Sequence, residues 1–221
     1  MPDLKLLVTG ANGFIGRAVC ELFGGTPRGL ARRGAPSPLP DGLKGVEWFT
    51  GSVFDADILA KAVTGVSAVV HCVGILREHG KDTFKKVNGD AAIAVGEAAR
   101  AAGAHTFVFL SAAEKPPLVH EEYLSSKRRA EVALVKTGMR VVIMRPGLVY
   151  GAERPLSVLA ARLLKAARAV SGSTLLRANA PIRVRMLAKA IVVALHDSSV
   201  HGVIEVPRMR ELAQAYPSPT P

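Results

Sequence analysis

Hydrophobic positions along the chain alternate between two periods. Leu4, Leu6, Leu7 and Val8 open with a strand, and Val66 to Val73 reads as a buried one. His105 to Leu110 and Arg140 to Arg145 are further strand-like runs. Between them lie segments with helical spacing: the alanine-rich stretch Asp90 to Ala102, then Lys127 to Lys136. This alternation predicts βαβ units around a mainly parallel sheet. Gly24 to Gly45 breaks the pattern with four prolines (Pro27, Pro36, Pro38, Pro40) and six glycines, and predicts loops around one short strand, Arg28 to Ala31. Residues 155–170 and Met186 to Leu195 predict two late amphipathic helices. The tail from Tyr216 to Pro221 carries nothing that would pack by itself. The expected fold is α/β, a doubly wound parallel sheet with a small C-terminal cap. Its expected limits are 1–151 for the core, 152–215 for the cap and 216–221 for the tail.

Composition narrows the class. Of 221 residues, 49% are hydrophobic and 21% charged, enough apolar surface to bury a core and too much for intrinsic disorder. No run approaches 18 uncharged apolar residues, which excludes a membrane-spanning helix. Two cysteines without a CxxC pair exclude a disulfide scaffold or zinc ribbon and favour a reducing compartment. Neither a signal peptide nor an arginine-rich leader is expected ahead of the first strand. The formal charge is +11, and residues 151–221 hold ten basic against four acidic side chains. Such a field attracts anionic partners: acidic protein subunits, anionic lipid or nucleic acid. With 5% aromatic residues and no recognition motif, the nucleic-acid signal is weak. Arg162, Lys165 and Arg168 share one helix face, either a solvated face or a docking stripe for acidic lipid or protein.

The first strand runs into Gly10-Ala11-Asn12-Gly13-Phe14-Ile15-Gly16 and then a helix. Spaced as GxxGxxG, the glycines allow a tight turn, close backbone approach to a pyrophosphate, and close helix–strand packing. The helix N-terminus offers free N–H groups to the phosphates. A strand–turn–helix context points to dinucleotide binding, the alternative being a glycine turn without a ligand. The second strand ends at Arg32-Arg33 with no acid until Asp41. A basic pair there would accept the 2′-phosphate, so NADP(H) is favoured over NAD(H); the alternative is a solvated arginine pair. His71 reads as a packed or cofactor-adjacent side chain, Cys72 as a buried small one, and no metal site is expected. Ser125 and Ser126 lack a nucleophile elbow.

VTGANGFIG (8–16), HCVG (71–74), YLSSK (123–127) and RPGLVYG (145–151) occur in the order of the short-chain dehydrogenase/reductase superfamily. The chain resembles its extended or atypical branch, which is NAD-dependent epimerase/dehydratase-like, and PIRVRMLAKAIVVAL (181–195) resembles that branch's late strand–helix element. The resemblance implies cofactor contacts from Gly10, Asn12, Gly13, Phe14, Ile15, Gly16, Arg32, Arg33, Cys72, Val73, Gly74, Lys127, Arg145 and Pro146. It implies Tyr123 as acid/base, with Lys127 lowering its pKa, and Ser111 as the third catalytic member. Ala112, however, stands where the family's hydroxyl is expected, and Ser111 is one position early, on the opposite face of a strand. Ser52 replaces an Asp common at the adenine, and the segment from Gly16 to Arg32 is short. Within the branch the chain is similar to two mitochondrial groups: a protein of the coenzyme Q biosynthetic complex and the nucleotide-binding accessory subunit of respiratory complex I. The implied function is an NADP(H)-binding accessory protein of a ubiquinone-linked assembly on the mitochondrial matrix side, partnered by protein subunits. Its cofactor would be mainly structural. The alternatives are an active NADPH-dependent reductase, dehydratase or epimerase, and a basic nucleic-acid-associated mitochondrial protein.

Overall fold

The computed structural model describes residues 4–114, 119–155, 157–161 and 180–217. Seven strands form one sheet: β1 (Leu6–Thr9), β2 (Arg28–Ala31), β3 (Glu47–Thr50), β4 (Ala68–His71), β5 (Thr106–Leu110), β6 (Arg140–Arg145) and β9 (Gly202–Glu205). Their order is β3-β2-β1-β4-β5-β6-β9, and every pairing is parallel. A separate parallel pair joins β7 (Val149–Tyr150) to β8 (Ile182–Arg183).

Every side chain of β1, β4 and β5 is buried, because helices cover both faces of the sheet. Alternation along the strands divides the core in two. Val8, Val70, Val108 and Val142 face α1 (Phe14–Leu22), α5 (Val184–His196) and α6 (Val206–Gln214). Leu7, Val69, Phe107 and Val141 face α2 (Ala56–Val63), α3 (Ala91–Ala101) and α4 (Glu121–Val135). The sheet is thus doubly wound, as the alternation predicts. The chain winds outward from β1 to β3, then returns to the centre at β4 and winds the other way. This reversal opens a crevice above the C-terminal ends of β1 and β4.

Some boundaries move. The strand expected over 66–73 is confined to Ala68–His71, and α4 starts six residues before Lys127. A π-helical stretch, Lys85–Asp90, leads into α3. β9 and α6 lie within the main layers, β9 as the strand beside β6. Arg140 supports that layer: its guanidinium donates to the carbonyls of Ala194 (2.9 Å), Leu195 (3.1 Å) and Val200 (2.8 Å) where α5 ends. Of the expected helix over 155–170, residues 155 and 157–161 are helical, while Arg162, Lys165 and Arg168 lie outside the described residues. Tyr216 packs where a loose tail was expected, its hydroxyl donating to Leu22 O at 2.7 Å; residues 218–221 are also outside the described residues.

Candidate functional site

The glycine turn follows β1 directly. Gly10 adopts φ +73°, which favours glycine, and a Cβ there would lie 3.0 Å from the Cys72 carbonyl carbon and Val73 nitrogen. A Cβ on Gly16 would come within 2.3 Å of Gly10 O, so only glycine lets α1 start against the strand end. Gly13 is the N-cap and contributes no side-chain bond, and no acidic residue stands in the first turn of α1. The first-turn N–H groups thus keep their capacity for an anion, above the crevice where the chain reverses. These residues fit a dinucleotide diphosphate. Asn12 joins the turn to the second strand's loop: its Nδ2 donates to Gly34 O at 2.8 Å, and Arg17 Nη2 donates to its Oδ1 at 2.6 Å. Phe14 and Ile15 pack against the core, and the Arg154 guanidinium lies 4.6 Å from the centre of the Phe14 ring.

Past the end of β2, Arg32 donates to Asp82 Oδ2 at 2.7 Å. Arg33 is exposed and has no ion pair or hydrogen bond among the described residues. The chain supplies no acid to this strand end before Asp41, yet the fold delivers one from fifty residues downstream. Ser52 turns back on its own loop, accepting from Phe54 N–H at 3.2 Å.

Cys72, Val73 and Gly74 leave the end of β4 beside this turn. Burial pushes the Cys72 thiol up, so it is a neutral side chain. A Cβ on Gly74 would lie 3.1 Å from Asn88 Oδ1 and 3.4 Å from Lys127 Nζ. Asn88 is fully buried and holds Ile75 by both backbone groups, accepting from its N–H (2.8 Å) and donating to its carbonyl (3.0 Å). The sequence motifs do not single out Asn88; its one signal is a polar side chain just ahead of an apolar helix.

Tyr123 and Lys127 sit one turn apart on α4. Lys127 is 3% exposed, donates to Leu110 O at 2.8 Å and lies over the Phe109 ring. Burial lowers its pKa to about 8. Tyr123 is half-buried and meets Phe84 edge-on. Burial raises its phenol above the ordinary value, and the opposing charge is that of Arg128. The expected lowering of the phenol by Lys127 is therefore corrected: burial sets the direction and outweighs the charge of Arg128.

Ser111 requires a second correction. Its hydroxyl donates to Glu131 Oε1 at 2.5 Å and accepts from Arg128 Nη1 at 3.0 Å. Its single proton is committed to a buried carboxylate, so Ser111 has none to donate to a substrate here. Glu131 also binds Arg128 (2.6 Å) and, through both oxygens, Arg145. Arg145 is thus engaged by Glu131 at Nε and Nη2, and Pro146 O accepts from Ala113 N–H at 3.0 Å. Arg128 closes the cluster by donating to the carbonyls of Ala112 and Ala113.

His71 is completely buried, with Nδ1 2.8 Å from Thr9 Oγ1 and, among the described residues, no partner on Nε2. Burial, with Lys127 adding to it, pushes its pKa down to about 3, so the ring is neutral. Among the described residues no three His, Cys, Asp or Glu side chains gather to hold a metal, and no helix is long and apolar enough to cross a membrane.

A family model described as NAD(P)H-binding matches residues 10–198. The chain is 28% identical over 232 residues to an uncharacterised chloroplastic protein of Arabidopsis thaliana, covering 95% of this chain and 77% of that protein. It is 35% identical over 147 residues to the ceramide reductase of Caulobacter vibrioides, covering 65% of this chain and just under half (46%) of the reductase. It is 24% identical over 205 residues to MIOREX complex component 2 of Saccharomyces cerevisiae, covering 68% and 74% of the two chains. A solved structure, the UDP-glucuronic acid 4-epimerase of Bacillus cereus with NAD, shares the fold at a TM-score of 0.67 and 21% identity, covering 90% of this chain and 77% of that one.

Proposed function

The chain belongs to the NAD(P)H-binding family, and from that premise we propose that it is a short-chain dehydrogenase/reductase-like, NADP(H)-binding accessory protein whose cofactor is chiefly a folding and docking element. The setting proposed is a ubiquinone-linked assembly on the mitochondrial matrix side, either respiratory complex I or the coenzyme Q biosynthetic machinery. A relative named as a complex component supports the accessory role. One named chloroplastic and the chain's net charge of +11 are compatible with an organelle.

The observation that carries the reading is the fate of the third hydroxyl. Ser111 gives its proton to Glu131, and Ala112, at the position where the superfamily is expected to place the polarising hydroxyl, has none to offer. Losing such a donor costs about 10²–10³ in rate, by analogy with oxyanion donors. Nothing comparable is lost from the turn at Gly10–Gly16, so binding would outlast turnover. A ligand that binds only the folded chain stabilises it by mass action, and that can be its whole contribution.

The second reading is an active reductase or epimerase, favoured by Lys127 buried beside the β5 end with Tyr123 one turn away and by the likeness to a reductase. A bound nicotinamide would supply hydride chemistry, and Tyr123 would exchange a proton with the substrate oxygen. Replacing Tyr123 with Phe in the native host separates the two. Under the accessory reading Tyr123→Phe keeps assembly, co-purifying nucleotide (read by mass spectrometry) and quinone-pathway output near wild-type levels. Output lost while assembly and nucleotide persist would establish the enzyme reading instead.

A further inference from the structure

We infer that Asp82 sets the preference between the phosphorylated and unphosphorylated dinucleotide by holding Arg32 away from the 2′-phosphate. This rests on the dinucleotide reading and adds the residue that tunes it.

Three observations place Asp82 in that role. The end of β2 is where this fold reads the adenosine ribose, and Arg32 and Arg33 stand directly after Ala31. Their loop is tied to the diphosphate turn, because Asn12 Nδ2 donates to Gly34 O at 2.8 Å. The arginines are thereby held in register with the turn. The third observation is how firmly Asp82 is presented. It belongs to the connection leaving β4, which Asn88 fixes at Ile75. Its far end is fixed by Glu78, whose carboxylate accepts from Phe84 N–H at 2.6 Å. Asp82 itself exchanges two backbone hydrogen bonds with His79 (3.0 and 3.1 Å). The carboxylate is 33% exposed, whereas the Arg32 side chain is 64% exposed. A braced acid thus reaches out to a more exposed cation, and Arg33 is left as the uncommitted charge of the pair.

The consequences follow from charge. A 2′-phosphate carries close to two negative charges and must compete with Asp82 for Arg32 while being repelled by it. A 2′-hydroxyl is neutral and feels neither effect strongly. Asp82 therefore disfavours NADPH selectively, and Arg33 supplies the attraction that remains.

The test is direct titration of the full chain with NADPH and NADH at fixed ionic strength. Adenosine 2′,5′-bisphosphate and 5′-AMP serve as probes of the adenosine end alone. Asp82→Asn is expected to tighten NADPH and the bisphosphate by about tenfold and to leave NADH and AMP within about twofold. Arg32→Met, which leaves the Asp82 charge unpaired, is expected to weaken NADPH and the bisphosphate by itself and to cancel the gain when combined with Asp82→Asn. Asp82→Glu, which keeps the charge, is expected to behave as wild type. An unchanged NADPH-to-NADH ratio in Asp82→Asn, or equal weakening of both, overturns the assignment while wild-type binding keeps the dinucleotide reading. A wild-type chain that binds neither dinucleotide overturns both.

Discussion

Glu131 holds together the charges beneath the candidate site. Its carboxylate is 5% exposed and is met by Arg128, Arg145 and the Ser111 hydroxyl. Burial opposes its ionisation, but the hydrogen bonds of Arg145 and Ser111 and the two guanidinium charges outweigh it and hold its pKa below the ordinary value. A lowered carboxylate pKa means the unfolded chain binds the proton first. The stabilisation is therefore full above the unfolded pKa, about 4.3, and is lost as pH falls through the lowered folded value. Glu131→Gln leaves two arginines without their counter-charge. Both retain some solvent contact, so the expected cost at pH 7 is about 2–3 kcal/mol rather than the full penalty of a buried pair. Urea unfolding at pH 7 and pH 3 checks this: the gap between wild type and variant should be wider at pH 7 than at pH 3.

At the scale of elements, the turn between β1 and α1 depends on contact closer than any side chain permits. A Cβ on Gly16 would stand 2.3 Å from Gly10 O and 2.8 Å from Ala11 Cα, both backbone atoms that cannot rotate away. Gly16→Ala must push the start of α1 off the strand. Since α1 also packs on α5, the shift is resisted from behind. The expected loss is about 1–3 kcal/mol of stability, as for overpacking elsewhere. Dinucleotide binding should weaken along with it, because the first-turn amides move. A thermal melt together with an NADPH titration reads both effects. This element is fully legible in the amino-acid sequence, because glycine spacing and the strand-to-helix change of period are local. Asn88 is less legible, since its partner Ile75 lies thirteen residues away in a loop without periodicity.

Across the whole molecule, the crevice forms where two winding directions meet, and its walls are the loops after β1, β2 and β4. Hydrogen bonds tie the walls together: Gly10 N–H to Leu30 O in β2, and between the loops Asn12 to Gly34 and Arg32 to Asp82. A ligand bridging them should stabilise the fold as a unit. If the cofactor is chiefly structural, NADPH at about a hundred times its dissociation constant should add about 2.7 kcal/mol, seen as a higher melting temperature that rises with ligand concentration. A melting temperature indifferent to NADPH would remove the basis for a structural cofactor.

The order of periods along the chain determined the α/β class, the glycine turn and the Arg32-Arg33 strand end, because each is written in neighbouring residues. Local sequence also put Ser111 one position out of step with Ala112. What it did not contain was where that hydroxyl would turn, since Glu131 and Arg128 reach it from a helix about twenty residues on. Nor could it show an acid at the end of β2, because Asp82 arrives through a loop from the far side of the crevice. Charge pairing and burial act through space, and only the folded chain fixes which side chains share it.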